Sequence, residues 1–335
     1  MTVQQKDTIG GFHDLGPDRV LNLVEKELGI RCNNLFRTLN SYINRVFEIE
    51  TEEGLRLVVK FYRPGRWSKK AILDEHKFLT QLVEQEIPVI APLCFRDGET
   101  LAESENLLFA VFPKCGGRSS DEFTDDEWLQ VGRLLGRVHQ VGEVGKAKNR
   151  ITMGPRHSML DQLNYLLKAS CVAEDLKPLL KATVLRIIDG IEPLFAQTKM
   201  IRIHGDCHFS NIIHRPDESF HLIDFDDMAM GPPVQDIWML LPGDADEAVV
   251  ELDLLLEGYE TFRAFDRRTF RLIEPLRAMR FVHYMAWCAH QVEADGVTRA
   301  IDDFGTRDYW QREINDLIDQ EVRIAESKMP SGNVL

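Results

Sequence analysis

Apolar, β-branched runs of strand type recur along the chain as far as residue 112, with two helical stretches among them, and helical spacing takes over from about residue 124. Between the two lies Pro113-Lys114-Cys115-Gly116-Gly117, a joint that neither pattern can cross. Period-two and 3.6-period patterns bury their apolar residues on different kinds of face, so the change separates two hydrophobic layers. A chain of 335 residues also exceeds what one core usually organises. The expected fold is α+β in two lobes. A small β-rich N-lobe covers residues 1–112, a hinge covers 113–117, and a larger, mostly helical C-lobe covers 118–335.

Within the first part, Gly16-Pro17-Asp18 opens an apolar-periodic stretch (Val20, Leu21, Val24, Leu28) that ends at Gly29, which predicts a short amphipathic helix. Strands are expected over 35–39 and 45–50, flanking the turn-type run Asn40-Ser41-Tyr42-Ile43-Asn44. A third strand, LRLVVKFY over 55–62, carries Lys60 near its end. Ser68 then caps a helix to about residue 84 whose inward stripe is Ile72, Leu79 and Leu82. Two prolines make 87–93 an edge or a connection, and LLFAVF over 107–112 is a buried-type strand that stops at Pro113. In the second part helices are expected over about 126–141, 159–167 and 176–195. A short β region (201–203, 211–214, 221–224) and further helices follow. Asp236 is expected to cap a helix, and His283, Tyr284 and Trp287 to belong to the core.

Composition narrows the partners. With 44% hydrophobic and 28% charged residues the chain is globular, and its net charge of −14 disfavours nucleic acid or an anionic membrane. The N-terminal MTVQQKDTIGG has no apolar core of an export signal, and no apolar run approaches a membrane span. Six cysteines are scattered without ligand spacing, which suits reduced thiols in the cytoplasm, and Cys207 reads as a packing residue.

The run IHGDCHFSNII over 203–213 places Asp206 and Asn211 five apart on a loop between short strands, and Asp224 ends the following strand in HLIDFDD. Phosphoryl transfer from ATP needs metal across the phosphates and a carboxylate to orient the acceptor hydroxyl and take its proton. Mg²⁺ accepts one or two carboxylates, amide oxygens and phosphate oxygens, so Asn211 and Asp224 are candidate metal ligands and Asp206 the candidate base. Lys60, on a strand otherwise built to be buried, suits contact with ATP. Glu75, on the inward stripe of the following helix, requires a partner, and Lys60 is the expected one.

This strand–loop–strand unit resembles the catalytic loop and metal-binding strand of the protein-kinase-like superfamily, in the H-G-D form of aminoglycoside and choline kinases. The runs LNSYINRVFEI, LVVKFYRPGRWS, FAVFPKCGGR, GPPVQDIWMLL and IEPLRAMRFVHY occur in order with it. Together they are similar to a family of bacterial stress-response serine/threonine protein kinases. The resemblance implies a bilobal protein-kinase-like fold, ATP and Mg²⁺ as cofactors, and Asp206 and Asp224 as catalytic residues. Asn211 and Asp224 would be the metal ligands, and Lys60 would contact the phosphates. It also implies Ser41 on the phosphate side, and adenine pairing with the Phe112 carbonyl and the Lys114 N–H. Protein Ser/Thr acceptors, autophosphorylation and a stress role belong to the same implication, and a monomer is expected.

There are departures from the pattern. No G-x-G-x-x-G precedes Lys60, the metal motif reads Asp224-Phe225-Asp226, and no long activation loop separates Asp227 from Gly231-Pro232-Pro233. Asp226 and Asp227 are candidates for a second Mg²⁺ or for loop bonding. One rival reading is a small-molecule alcohol kinase, for which Glu274, Asp302, Asp303 and Asp308 would have to converge on a cationic acceptor. The other is a non-catalytic nucleotide-binding regulator, which would lack a base or metal ligand, whereas Lys60, Asp206, Asn211 and Asp224 are all present.

Overall fold

The computed structural model describes residues 12, 15–120, 122–215, 220–243, 248–298 and 300–327, so the segment read for an export signal lies outside the described residues. These residues fall into two compact units, one made of 1–151, 201–230 and 239–265, the other of 152–200, 231–238 and 266–335.

The first unit opens with α1 (Pro17–Leu28), which starts on proline and ends on Gly29 in the left-handed conformation. Next come β1 (Cys32–Leu39), β2 (Arg45–Thr51), β3 (Arg56–Phe61), α2 (Lys69–Glu84), β4 (Ala102–Ser104) and β5 (Leu107–Pro113), forming an antiparallel sheet in the order β1-β2-β3-β5-β4. The strand at 102–104 has too few residues to show a period. Strand alternation sorts β3 between the two faces of the sheet. Leu57, Val59 and Phe61 join Val20 and Val24 of α1 in one core, whereas Tyr62 and Ala110 pack with Ile72 of α2 in another. Lys60 pairs with Ala110 in the register and so shares the α2 face. Ser68 caps α2 by accepting the Ala71 N–H at 3.2 Å. The proline-bearing segment 87–93 is a connection, bonded through Leu93 N–H to Val111 and through the Pro88 carbonyl to Leu222.

Past the joint, β6 (Arg118–Ser119) forms a second small sheet with β8 (Ile212–His214) and β9 (Phe220–Leu222), while β7 (Ile201–Ile203) pairs with β10 (Ala229–Gly231). The helices α3 (Asp125–Val144) and α7 (Val249–Glu260) cross at backbone contact. A Cβ on Gly132 would lie 2.0 Å from the Leu255 carbonyl oxygen, and one on Gly258 2.1 Å from that of Leu129. Neither partner is a side chain that can turn aside. Gly258→Ala is therefore expected to destabilise the protein by about 1–3 kcal/mol, read as a lowered urea midpoint. An unchanged midpoint would show that the crossing can open without cost.

The second unit contains α4 (Pro155–Lys168), α5 (Lys177–Phe195), α6 (Val234–Trp238), α8 (Ile273–Asp295) and α9 (Arg307–Ser327). Here two expectations are corrected. Asp236 is the third residue of the short α6, not its cap. On α8, Tyr284 is 38% exposed and stacks on Trp287 at 5.5 Å, because this helix turns its aromatic stripe partly out of the core. Among the described residues, which include all six cysteines, there is no disulfide, and no helix is long and apolar enough to cross a membrane.

Candidate active site

The loop after β7 is held by its own histidine. His204 Nε2 lies 2.8 Å from the Ile223 carbonyl, which only accepts, and Nδ1 receives the Asp206 N–H at 3.3 Å. These partners fix the tautomer with its proton on Nε2 and hang the Asp206 loop from the residue before Asp224. The His204 ring also meets Phe225 edge-on at 4.6 Å. Gly205 has φ +89, and a Cβ there would sit 2.2 Å from the Asp227 carbonyl oxygen, so only glycine lets the two loops touch. Asn211 donates from Nδ2 to the Asp206 carbonyl at 2.9 Å, which commits the amide nitrogen and leaves Oδ1 as the atom for a cation. His208 Nε2 lies 3.4 Å from Asp206 Oδ2.

Asp224 takes φ 61, ψ 63 and begins a tight 3-10 turn, Phe225–Asp227. Its side chain is 56% exposed, whereas that of Asp226 is 6% exposed. Lys60 Nζ is 3.0 Å from Asp226 and 3.3 Å from Asp224. Burial alone would lower the Lys60 ammonium, but these carboxylates outweigh it and hold its pKa well above the ordinary lysine value. Burial would likewise raise Asp226, yet Lys60 and Arg66 beside it keep its carboxyl below the usual range. Arg66 binds Asp226 through Nη1 and Asp227 through Nη2, the latter at 2.7 Å. The two extra acids of the D-F-D-D run are thus paired with protein cations in this structure.

Glu75 corrects the expected pairing. Its carboxylate receives Arg150 Nη2 at 2.5 Å, while Lys60 turns to Asp226 and Asp224. Burial raises the Glu75 carboxyl to about 7 against the pull of Lys60 and Arg150. Next to it, His76 bridges Tyr62 Oη at 2.9 Å and Thr100 Oγ1 at 2.8 Å. Burial, reinforced by Lys60 and Arg150, pushes the His76 ring down to about 3, so it works here as an uncharged strut.

The glycine-free turn is braced from within. Ser41 Oγ accepts the Asn44 N–H at 3.2 Å, which leaves its hydroxyl proton to donate. Asn44 in turn donates to Asp226 at 3.2 Å and accepts the Arg63 N–H at 3.1 Å.

At the hinge the two groups expected to meet adenine are turned toward the sheet. The Lys114 N–H already donates to the Arg56 carbonyl at 3.0 Å, and Tyr62 N–H to Leu108 at 2.9 Å. Phe112 lies opposite Val58 in the same phase of this antiparallel ladder, so its carbonyl turns toward β3. The alternation instead points the Pro113 carbonyl the other way.

Arg66 and Arg150 were not anticipated. Four acids in and beside D-F-D-D and α2 demand cations, and Arg66 in the run after β3 could have been sought on that ground. Arg150 has no such cue. Among the described residues no group of three or more His, Cys, Asp or Glu side chains is arranged to hold a metal. The donor pair Asn211 and Asp224, one amide oxygen and one carboxylate, fits Mg²⁺ that takes its other ligands from phosphate and water.

A profile of the phosphotransferase enzyme family matches residues 36–273. Stress response kinase A of Escherichia coli strain K12 is 40% identical over 310 residues, which cover 92% of this chain and 93% of that one. Serine/threonine protein kinase RdoA of Salmonella typhimurium strain LT2 is 37% identical over the same shares. Amicoumacin kinase hAmiN, in complex with AMP-PNP, Ca²⁺ and Ami, superposes with a TM-score of 0.72 at 20% identity, covering 89% of this chain and 93% of that one. A microcompartment-associated aminopropanol kinase follows at 0.67 and 17%, covering 92% and 97%. The β-rich sheet, the largely helical remainder and the H-G-D and D-F-D loops are therefore those of a kinase-like α+β fold, and the chain belongs to the phosphotransferase enzyme family.

Proposed function

We propose that this protein is an ATP- and Mg²⁺-dependent serine/threonine protein kinase, transferring the γ-phosphoryl group of ATP to hydroxyls of proteins, itself included. The observation that carries the reading is the tie between the two loops. His204 bonds Ile223, so one rigid turn presents Asp206 and Asn211 beside the strand end that carries Asp224. In this reading Asp206 orients the acceptor hydroxyl and takes its proton. Asn211 Oδ1 and Asp224 hold the metal, which when bound neutralises charge on the β- and γ-phosphate oxygens. Lys60 exchanges part of its carboxylate contact for the α/β-phosphates, Ser41 donates its hydroxyl to phosphate, and Glu75 supports the site through Arg150. The Pro113 carbonyl, with the Cys115 N–H two residues on, takes the adenine edge.

The protein acceptor is supported by relatives named as serine/threonine and stress response kinases at 37% and 40% identity over 92% of the chain. The acids that a cationic small alcohol would need are partly spent. Glu274 accepts from Gln320 at 2.6 Å, and Asp303 pairs with Arg312 at 2.6 Å. A monomer acting in the cytoplasm during stress is part of the same proposal.

Purified protein given labelled ATP and Mg²⁺, with generic protein substrates and a panel of small alcohols in parallel, is expected to place label on serine or threonine. Efficient turnover of one small alcohol with no labelled protein would replace the protein acceptor with that alcohol.

A further inference from the structure

Arg150 lies in the segment after α3, far in sequence from every motif of the site, and its side chain is 0% exposed. Nε donates to the Ala71 carbonyl at 2.8 Å, Nη1 to the Asp226 carbonyl at 2.6 Å, and Nη2 to Glu75 at 2.5 Å. The guanidinium also lies 4.2 Å from the centre of the Trp67 ring. One planar group thereby joins the first turn of α2, its inward face, the connection before it, and the backbone of the turn that follows Asp224. A buried guanidinium needs a countercharge and acceptors for its donors, and these partners supply both. Lysine could not span them, because its donors radiate from a single atom.

The bond to Asp226 is made to the main chain, two residues beyond Asp224. Asp224 holds φ 61, a conformation that a residue with a side chain keeps only when its surroundings impose it. The Met228 N–H closes the same turn on the Phe225 carbonyl at 2.9 Å, and Arg150 anchors it from the other side. Since Arg150 also satisfies Glu75, Lys60 is not needed to hold α2 and is available to the carboxylates and to phosphate. Resting on the kinase reading above, we infer that Arg150 is a positioning residue that presets the Asp224 turn for the metal–nucleotide complex, acting through the Asp226 carbonyl.

Arg150→Met alone would strand the Glu75 carboxylate, so the informative variants of the full chain are Arg150→Met with Glu75→Gln, which removes both charges, and Arg150→Lys, which keeps the charge and loses the fork. Fluorescent ATP binding is measured in EDTA and then across a Mg²⁺ titration, with cooperative melting as the test of folding. Both variants are expected to bind nucleotide in EDTA within about threefold of wild type and to need about tenfold more Mg²⁺, the usual scale for partners of metal ligands. A Mg²⁺ midpoint within about twofold of wild type in whichever variant folds would make Arg150 merely structural and overturn the inference. Equal loss in EDTA would overturn it too, placing the effect on the nucleotide site as a whole. If wild type itself shows no Mg²⁺-dependent binding, the kinase reading fails and the inference falls with it, a result distinct from failure in the variants alone.

Discussion

Asparagine in place of Asp206 is expected to lower phosphoryl transfer by about 10³-fold while nucleotide affinity and melting stay near wild type, the scale of a lost general base. The backbone of Asp206 does the structural work at this position. Its N–H goes to His204 and its carbonyl to Asn211, and both bonds survive the substitution. The side chain lies 3.4 Å from His208 Nε2 through Oδ2. An amide of the same shape can still accept a hydrogen bond from a hydroxyl but cannot take its proton at neutral pH. Steady-state turnover of labelled ATP, with binding measured separately, checks this. Turnover within threefold of wild type would move the base elsewhere, whereas weakened binding with turnover preserved at saturation would make Asp206 a binding residue.

The largest expected effect on stability is at Asp226. Its carboxylate serves Lys60 at 3.0 Å, receives Arg66, and accepts the Asn44 amide at 3.2 Å, with the side chain 6% exposed. Asp226→Ala removes the common counterion of two poorly solvated cations. The expected cost is about 3 kcal/mol, the low end for breaking a buried pair, because Lys60 keeps Asp224 and Arg66 keeps Asp227. The pH dependence follows from the sign of the shift. The native carboxyl holds its proton less tightly than the unfolded chain, whose reference value is 3.8. Its contribution is therefore complete above that value and is lost as pH falls below it toward the lower folded pKa. Urea unfolding at pH 7 should show the loss in Asp226→Ala, and in Asp226→Asn the decline of stability between about pH 4 and 2 should be shallower than in wild type. Equal urea midpoints at pH 7 would show that Asp224 and Asp227 compensate fully.

The consequences of these variants could be only half foreseen from sequence. Asp206, Asn211 and Asp224 stand out because they lie within one strand–loop–strand unit, where spacing along the chain translates directly into proximity. Lys60 stands out because a lysine within an apolar strand contradicts its surroundings. The Glu75 pairing went astray for the opposite reason. Helical periodicity shows that Glu75 faces inward, and it is indeed 2% exposed, but periodicity says nothing of which cation meets it. Lys60 lies 15 residues away on the sheet, and Arg150, 75 residues away in a loop with no pattern, occupies the place. The hinge failed on parity. Which carbonyl of β5 faces outward depends on its register with β3, and register is set by packing across strands.

What the sequence alone determined is what repeats or stays local: the longer strands and helices as far as residue 195, the caps at Ser68 and Gly29, and the H-G-D and D-F-D loops. Short-range propensity and alternation decide these, and neither needs a partner from elsewhere in the chain. Only the tertiary structure decided how the charges pair. Asp226 meets Lys60, Arg66 and Asn44, Glu75 meets Arg150, and Gly205 lies against Asp227. A buried charge takes whichever opposite charge the packing of the backbone brings within about 3–4 Å, and that distance depends on the whole fold.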